Sequence, residues 1–220
     1  MPDDSYSDLR AEMVETQVRK RGVKDLNVLR AMASVPRHEF VPEKSKSLAY
    51  ADEPLAIGEG QTISQPYIVA AMTEALGLTG SEKVLDIGTG CGYQAAVLSL
   101  LSREVYSIEF RAELARSAAA RLQRLGFAKV HVHCGDGTLG LKEFAPYDAI
   151  LVAAASPRVP EPLLEQLKDG GRLIAPIGAE DHQHLMLVTR RGSEYITQQR
   201  EGCRFVPLLG RYGWKDWELL

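Results

Sequence analysis

Cysteine is scarce in this 220-residue chain, and the three present, Cys91, Cys134 and Cys203, stand at unrelated spacings with no Cys-x-x-Cys. Such a set does not build a disulfide framework and fits reduced thiols. An excess of one charge is also missing: 26 Lys and Arg against 29 Asp and Glu give a net charge of −3, too balanced for a general polyanion-binding field. A bulk nucleic-acid partner is therefore not expected. No apolar run approaches membrane-spanning length, and the opening Met-Pro-Asp-Asp-Ser is polar and acidic where a signal peptide is basic and then apolar. The expectation is a cytoplasmic protein without a membrane partner. Internal repeats and low-complexity segments are absent as well, and 45% hydrophobic with 25% charged residues is ordinary globular composition. Residues 1–220 are read as one domain, with 1–80 an N-terminal cap and substrate-side segment and 81–220 an α/β core.

What the chain does have is concentrated at residues 84–92, Val-Leu-Asp-Ile-Gly-Thr-Gly-Cys-Gly. An apolar run ending on Asp86, three alternating glycines and an Ala/Leu-rich segment predict a strand, a tight turn and a helix start, with bare backbone open to a ligand. A dinucleotide fingerprint would need its third glycine at Tyr93, whereas here it falls at Gly92. Asp-x-Gly-x-Gly-x-Gly is instead the pattern of S-adenosylmethionine-dependent methyltransferases. Asp86, Gly88, Thr89, Gly90 and Gly92 are thus candidate cofactor residues.

The order of elements agrees. Strands are predicted at 83–87, 104–109, 129–134, 148–153 and 171–176, with helices at 92–102, 111–125 and 160–167 between them, which implies a doubly wound, mostly parallel sheet. Stretches 183–190 and 194–205 flank Arg191-Gly192-Ser193 as an antiparallel hairpin would, making a seven-stranded sheet of the methyltransferase type. Ahead of it, helices over 8–20 and from Leu26 to before Pro36 predict a helical cap.

In an open parallel sheet, ligands bind beyond the carboxyl ends of the strands. Glu109 ends the second core strand, 23 residues after Asp86, at the spacing of an acid that accepts ribose hydroxyl hydrogens. Asp136, in Gly135-Asp136-Gly137, ends the third, where a carboxylate or adjacent amide can meet the adenine edge. Each acid has a plainer alternative, as the cap of the element that follows it, and the two glycines as a turn alone. Three acids at three successive strand ends, the first beside a glycine turn, favour a cofactor site.

A second constellation, Gly60-Gln-Thr-Ile-Ser-Gln-Pro-Tyr67, reads locally as a helix start, with Ser64 or Gln65 as cap and Pro66 in the first turn. Here the chain resembles the protein-L-isoaspartate (D-aspartate) O-methyltransferases. The likeness runs through Val35-Pro-Arg-His-Glu-Phe-Val-Pro42, Tyr50-Ala-Asp52, Pro54-Leu55 and Gly60 to Pro66, then Val84 to Gln94 and Gly135-Asp-Gly137. It continues through Tyr147-Asp-Ala-Ile150 and Leu173-Ile-Ala-Pro-Ile-Gly178 to Phe205-Val-Pro-Leu208. The resemblance implies that Ser64 is the active-site serine, with Thr62, Ile63 and Gln65 beside it on the substrate side. It also implies that Asp86, Gly88, Thr89, Gly90, Gly92, Glu109, Asp136 and Gly137 contact S-adenosylmethionine. The implied substrates are isoaspartyl-containing proteins and peptides, acted on by a monomer. Two positions depart from the family: Cys91 stands where serine is frequent, and Ala153-Ala-Ala-Ser-Pro157 differs from versions richer in threonine and glycine.

Other chemistries fit less well. His131-x-His133 and His182-x-His184 lack a third ligand in sequence, so no metal is expected. Ser64 is not in Gly-x-Ser-x-Gly, which disfavours hydrolysis. The nucleic-acid amino-methyltransferase motif Asp/Asn-Pro-Pro-Tyr is replaced by Ala153-Ala-Ala-Ser-Pro157. Methylation of another small carboxylate or amine, and a non-catalytic binder of modified peptides, remain as alternatives. The segment 52–66 is the candidate lid.

Overall fold

The computed structural model describes residues 6–214. The chain opens with helix α1 (Ser7–Met13), which widens into a π-helical stretch over Val14–Arg19, followed by α2 (Leu26–Ser34). Two short 3-10 turns, Arg37–Phe40 and Glu43–Leu48, lead to a two-stranded antiparallel hairpin, β1 (Leu55–Gly58) and β2 (Gln61–Ile63), and then to α3 (Pro66–Leu76). From there the order is β3 (Lys83–Ile87), α4 (Tyr93–Ser99), β4 (Glu104–Glu109), α5 (Ala112–Arg124) and β5 (Val130–Cys134). The chain continues through β6 (Tyr147–Val152), α6 (Glu161–Glu165), β7 (Leu167–Gly178), β8 (Gln183–Arg191) and β9 (Glu194–Cys203).

Strands β3 to β9 form one seven-stranded sheet in the order β5-β4-β3-β6-β7-β8-β9. Pairings from β5 to β7 are parallel and those of β7 with β8 and β8 with β9 antiparallel. This is the expected doubly wound sheet with its C-terminal hairpin. Strand order reverses at β3, so the cleft at the carboxyl ends of β3, β4 and β6 is where a ligand site is placed by topology.

The central strands are apolar on both faces because both are covered. Val84 and Leu85, adjacent on β3, belong to different buried clusters, as side chains that alternate across a sheet must. One cluster gathers Met32, Met72, Leu98 and Leu122 from the N-terminal segment and helices α3 to α5, while the other gathers Leu163 and Leu208 under α6 and the C-terminal segment. By contrast β9 is exposed along nearly its whole length and reads Glu-Tyr-Ile-Thr-Gln-Gln-Arg-Glu-Gly-Cys, a polar, charged edge that resists pairing with another sheet.

Three departures from the sequence reading matter. The N-terminal cap is not all helical, because Gly58, Glu59 and Gly60 all take positive φ and reverse the chain into the β1–β2 hairpin. The second half of the first helix is π-helical, with Lys20 N bonded five residues back to Glu15 O. Helix α4 stops at Ser99, where the Ser99 and Ser102 hydroxyls turn back onto Ala96 O and Leu98 O.

Candidate active site

The glycine turn follows β3 directly. Gly88, Gly90 and Gly92 sit at φ of 90°, 53° and 94°, a region that only glycine enters without strain. The turn is tied to β4 by Gly88 N and Thr89 N, both donating to Ile108 O, and closes on itself through Gly92 N to Thr89 O at 2.8 Å. A Cβ on Gly92 would stand 3.1 Å from Leu122 Cδ1, so the third glycine also lets α5 pack against the turn.

Glu109 ends β4 and is only 6% exposed, yet it lines the cleft. Its Oε2 accepts from Gly90 N at 2.8 Å and its Oε1 from Arg111 N at 3.0 Å. Each oxygen keeps a further lone pair, so the carboxylate both pins the turn and remains able to accept ligand hydroxyls. Gly137 lines the same cleft, beside Ile87, Ile108, Ala153 and Ala154 and opposite Val206 to Leu209 of the C-terminal segment. Gly137 cannot be larger, because a Cβ there would lie 2.6 Å from Ile87 Cγ2.

The other two strand-end acids sit behind the wall. Asp86 is fully buried; its Oδ2 accepts from Ser107 Oγ at 2.7 Å, and Ser107 in turn lies 2.6 Å from Thr89 Oγ1, so the acid supports the turn from beneath. Asp86 Oδ1 has no partner among the described residues, and burial, reinforced by the Glu109 charge, pushes its pKa up to about 7 despite the Ser107 bond. Asp136 is spent on structure: Oδ1 accepts from Thr138 N and Oγ1 at 2.8 and 2.6 Å, and Oδ2 from Arg211 N at 2.8 Å. The capping alternative therefore describes the Asp136 side chain, and the adjacent backbone at Gly137 is what faces the cleft.

A second chamber adjoins the first. It is lined by Ser64, Gln65, Tyr67 and Ile68, by Arg21 and Pro54, and by Glu201 to Val206 at the end of β9. A smaller space, the throat, is lined by Ser64, Gly88, Gly90, Tyr93 and Gln94 among others, and Thr62 and Ala153 line all three spaces. Ser64 lines the second chamber and the throat, while the first chamber is reached from it past Thr62 and Ala153. It does not cap α3: Gln65 is the N-cap and no side chain bonds there. Ile63 points into the core and offers the site its main chain.

The hairpin crosses the glycine turn. A Cβ on Gly90 would lie 3.2 Å from Ile57 Cδ1, and Glu59 Oε2 is 3.7 Å from Arg111 Nη1, a residue of the cleft wall. The sequence assigns no site role to Arg111, Arg21, Tyr67 or the Val206 to Leu209 wall: the Arg19-Lys20-Arg21 run reads as a solvated helix end, and the match at Phe205-Val-Pro-Leu208 is the available signal for the wall. No cluster of metal-binding side chains occurs among the described residues, and no helix among them is long and apolar enough to cross a membrane.

A cleft with a backbone-lined turn, a carboxylate with free lone pairs and a side-chain-free contact at Gly137 fits the ribose and base of a nucleoside cofactor. The family model for protein-L-isoaspartate (D-aspartate) O-methyltransferase matches residues 9–213. The chain belongs to this family. It is an S-adenosylmethionine-dependent O-methyltransferase acting on isoaspartyl residues. It is 54% identical over 211 residues to the protein-L-isoaspartate O-methyltransferase of Dictyoglomus thermophilum, covering 96% of each chain. A solved protein-L-isoaspartate O-methyltransferase superposes with a TM-score of 0.85 at 34% identity, covering 92% of this chain and 67% of that one. A Plasmodium falciparum structure described as a putative member, in complex with S-adenosyl-L-homocysteine, gives a TM-score of 0.77 at 25% identity, covering 90% and 97%.

Proposed function

We propose that the chain methylates the free α-carboxylate of L-isoaspartyl residues in damaged proteins and peptides, with Ser64 aiming that carboxylate across the throat toward the cofactor cleft. The observation that carries this reading is the position of Ser64 on the wall shared by the second chamber and the throat beside the glycine turn, with its hydroxyl free of any capping task.

When bound, S-adenosylmethionine supplies an electrophilic methyl group on a sulfonium. Glu109 is the acceptor for its ribose hydroxyls, the backbone from Gly88 to Gly92 and at Gly137 forms the contact surface, and Thr89, Asp86 and Asp136 hold that surface from behind. On the other side of the throat, Thr62, the Ile63 main chain and Gln65 form the wall against which the peptide lies. A carboxylate with a reference pKa near 4 is ionised at neutral pH and needs no general base. Ser64 has neither to become a nucleophile nor to move a proton; it donates one hydrogen bond that fixes a carboxylate oxygen in line. The β1–β2 hairpin closes over the turn, and the drier the space beneath it, the more the partial loss of charge on reaction is favoured over the solvated ions. In the resulting ester methoxide is a far better leaving group than the oxide of a free carboxylate, so a main-chain amide nitrogen closes on the ester carbonyl to a succinimide with loss of methanol. Water reopens the ring in part to normal aspartyl, which initiates repair.

Residues 1–220 act as a single domain in this reading, as a monomer in the cytoplasm, without nucleic acid or membrane. Discrimination against normal aspartate is geometric, because the free carboxylate of the isoaspartyl form is one methylene nearer the backbone and a misplacement of about 1 Å can cost on the order of a hundredfold in rate. Two peptides identical except for that linkage, incubated with methyl-labelled cofactor, test it: strong labelling of the isoaspartyl peptide alone is expected. Equal labelling of both, or of neither beside robust methylation of a small carboxylate or amine, overturns the substrate assignment. Binding of the isoaspartyl peptide with no transfer at all would leave a non-catalytic binder.

A further inference from the structure

Arg37 is among the largest fully buried side chains, at 0% exposure, in the 3-10 turn that follows Pro36. No carboxylate pairs with it among the described residues. Its Nε donates to Ala49 O at 2.7 Å and its Nη2 to Ser64 O at 2.8 Å, while Nη1 is buried without a partner. The guanidinium also lies 4.8 Å from the ring centroid of Tyr93, the first residue of α4 after the glycine turn.

Burying an unpaired cation is costly, and a position that needed only volume would be filled better by methionine or leucine. Burial does pull the Arg37 pKa below its ordinary value, yet a guanidinium remains charged, so the cost persists at every working pH. What the cation achieves is a junction. One planar fork spans the main chain of Ser64, the segment at Ala49 and the ring that begins α4, tying the residue beside the substrate chamber to the helix that carries the cofactor turn. Lysine has a point charge on a flexible stem and cannot span these groups at once.

We infer that Arg37 is a positioning residue that fixes the Ser64 main chain relative to the cofactor turn and so keeps the Ser64 hydroxyl aimed. The inference rests on the role of Ser64 given above and adds the element that holds it. Arg37 lines none of the chambers described and touches no reacting atom; it acts through Ser64.

A double-mutant cycle on the full chain tests it, using methyl transfer to an isoaspartyl peptide and calorimetric binding of S-adenosylhomocysteine. Arg37→Lys keeps the charge and loses the fork, and is expected to lower kcat by about tenfold or more, the scale of a small misplacement. Cofactor-product affinity should stay within about twofold of wild type, and Ser64→Ala should cost much less in the Arg37→Lys background than alone, since coupled residues are not additive. Additive losses, wild-type kcat in Arg37→Lys, or a parallel loss of S-adenosylhomocysteine binding would make Arg37 a packing residue and overturn the inference. Wild-type turnover in Ser64→Ala alone would instead remove the role of Ser64 itself. Should Arg37→Lys fail to fold, the intact protein gives a second readout. Side-chain nitrogen resonances of Arg37, assigned through their contacts with Tyr93, are expected to shift on adding the isoaspartyl peptide and not the aspartyl one; resonances unmoved by both overturn the inference.

Discussion

On the cofactor side of the cleft, Asp86, Thr89 and Glu109 are buried and bound to one another's strands, and every glycine of the turn is held by a neighbour or by its own φ. On the substrate side, Thr62 is exposed, Ser64 and Gln65 are half-buried, and the facing wall is the exposed end of β9. A rigid wall suits a ligand that is always the same, and an open one suits a carboxylate presented by many different protein chains. The difference predicts that substitutions on the first wall change stability or cofactor binding, whereas those on the second damage turnover alone.

The largest effect on stability should come from Asp86. An acid whose folded pKa, here about 7, lies above its unfolded value near 3.9 binds more protons folded than unfolded between the two. Its contribution therefore falls as pH rises from about 4 to about 7 and stays unfavourable above, by on the order of 2–4 kcal/mol at 1.36 kcal/mol per pKa unit. Asp86→Asn, isosteric and neutral, should come closest to wild type in urea unfolding at about pH 4 and exceed it by a growing margin as pH rises toward about 8. Parallel pH profiles of the two proteins would show that Asp86 ionises as freely as an exposed acid and that this wall is less tightly closed than described.

Next comes Glu109→Gln, which removes a charged acceptor from the ribose hydroxyls and one of the oxygens that hold Gly90 N and Arg111 N. A loss of about 1.5–3 kcal/mol in S-adenosylhomocysteine binding is expected from hydrogen bonds to a charged group. Calorimetric titration of the folded mutant reads it directly, and unchanged affinity would take Glu109 out of the site.

Gly137→Ala tests the same wall by volume. With Ile87 Cγ2 2.6 Å from the new Cβ and Ile108 Cγ2 at 3.3 Å, either the Gly137 backbone or Ile87 must give way. Overpacking of this kind costs about 1–3 kcal/mol, and because Gly137 faces the cleft, affinity for S-adenosylhomocysteine should fall with it. Thermal unfolding beside a binding isotherm would separate the two, and a mutant as stable as wild type would mean that the strands at this point yield more readily than their burial suggests.

How far the two walls were legible in sequence follows the same division. Glycine turns, strand-end acids and the alternation of strands with helices depend on local conformation, so the β3 turn, Glu109 and the parallel order could be read residue by residue. Which acids face the ligand could not. Asp86 is turned inward by Ser107, 21 positions away, and Asp136 is occupied by the main chain at Arg211, 75 positions away, neither of which has a local signature. The hairpin is readable in principle, since Leu55-Ala-Ile57 and Gln61-Thr-Ile63 flank Gly-Glu-Gly, but its strands are only four and three residues long and run directly into the helix start at Gln65-Pro66. The role of Arg37 lies in a bond to Ser64 O across 27 residues and leaves no trace in spacing.

The smallest effect on folding, and the sharpest contrast between the walls, belongs to Ser64→Ala. Were Ser64 the cap of α3, its loss would cost about 1 kcal/mol. The N-cap is Gln65 and no side chain bonds there, and Arg37 reaches Ser64 through its carbonyl, which alanine retains. Stability should therefore change by no more than about 0.5 kcal/mol, as for a substitution that removes no cap and no buried bond, and S-adenosylhomocysteine binding should be intact. Turnover with an isoaspartyl peptide should nonetheless fall, since the lost hydroxyl is what holds one carboxylate oxygen in line. A mutant that is folded, cofactor-competent and slow is the result that separates aiming from scaffolding. A mutant that loses stability and turnover together would return Ser64 to the helix start, and one that turns over like wild type would leave the substrate carboxylate to be oriented by Thr62 and Gln65.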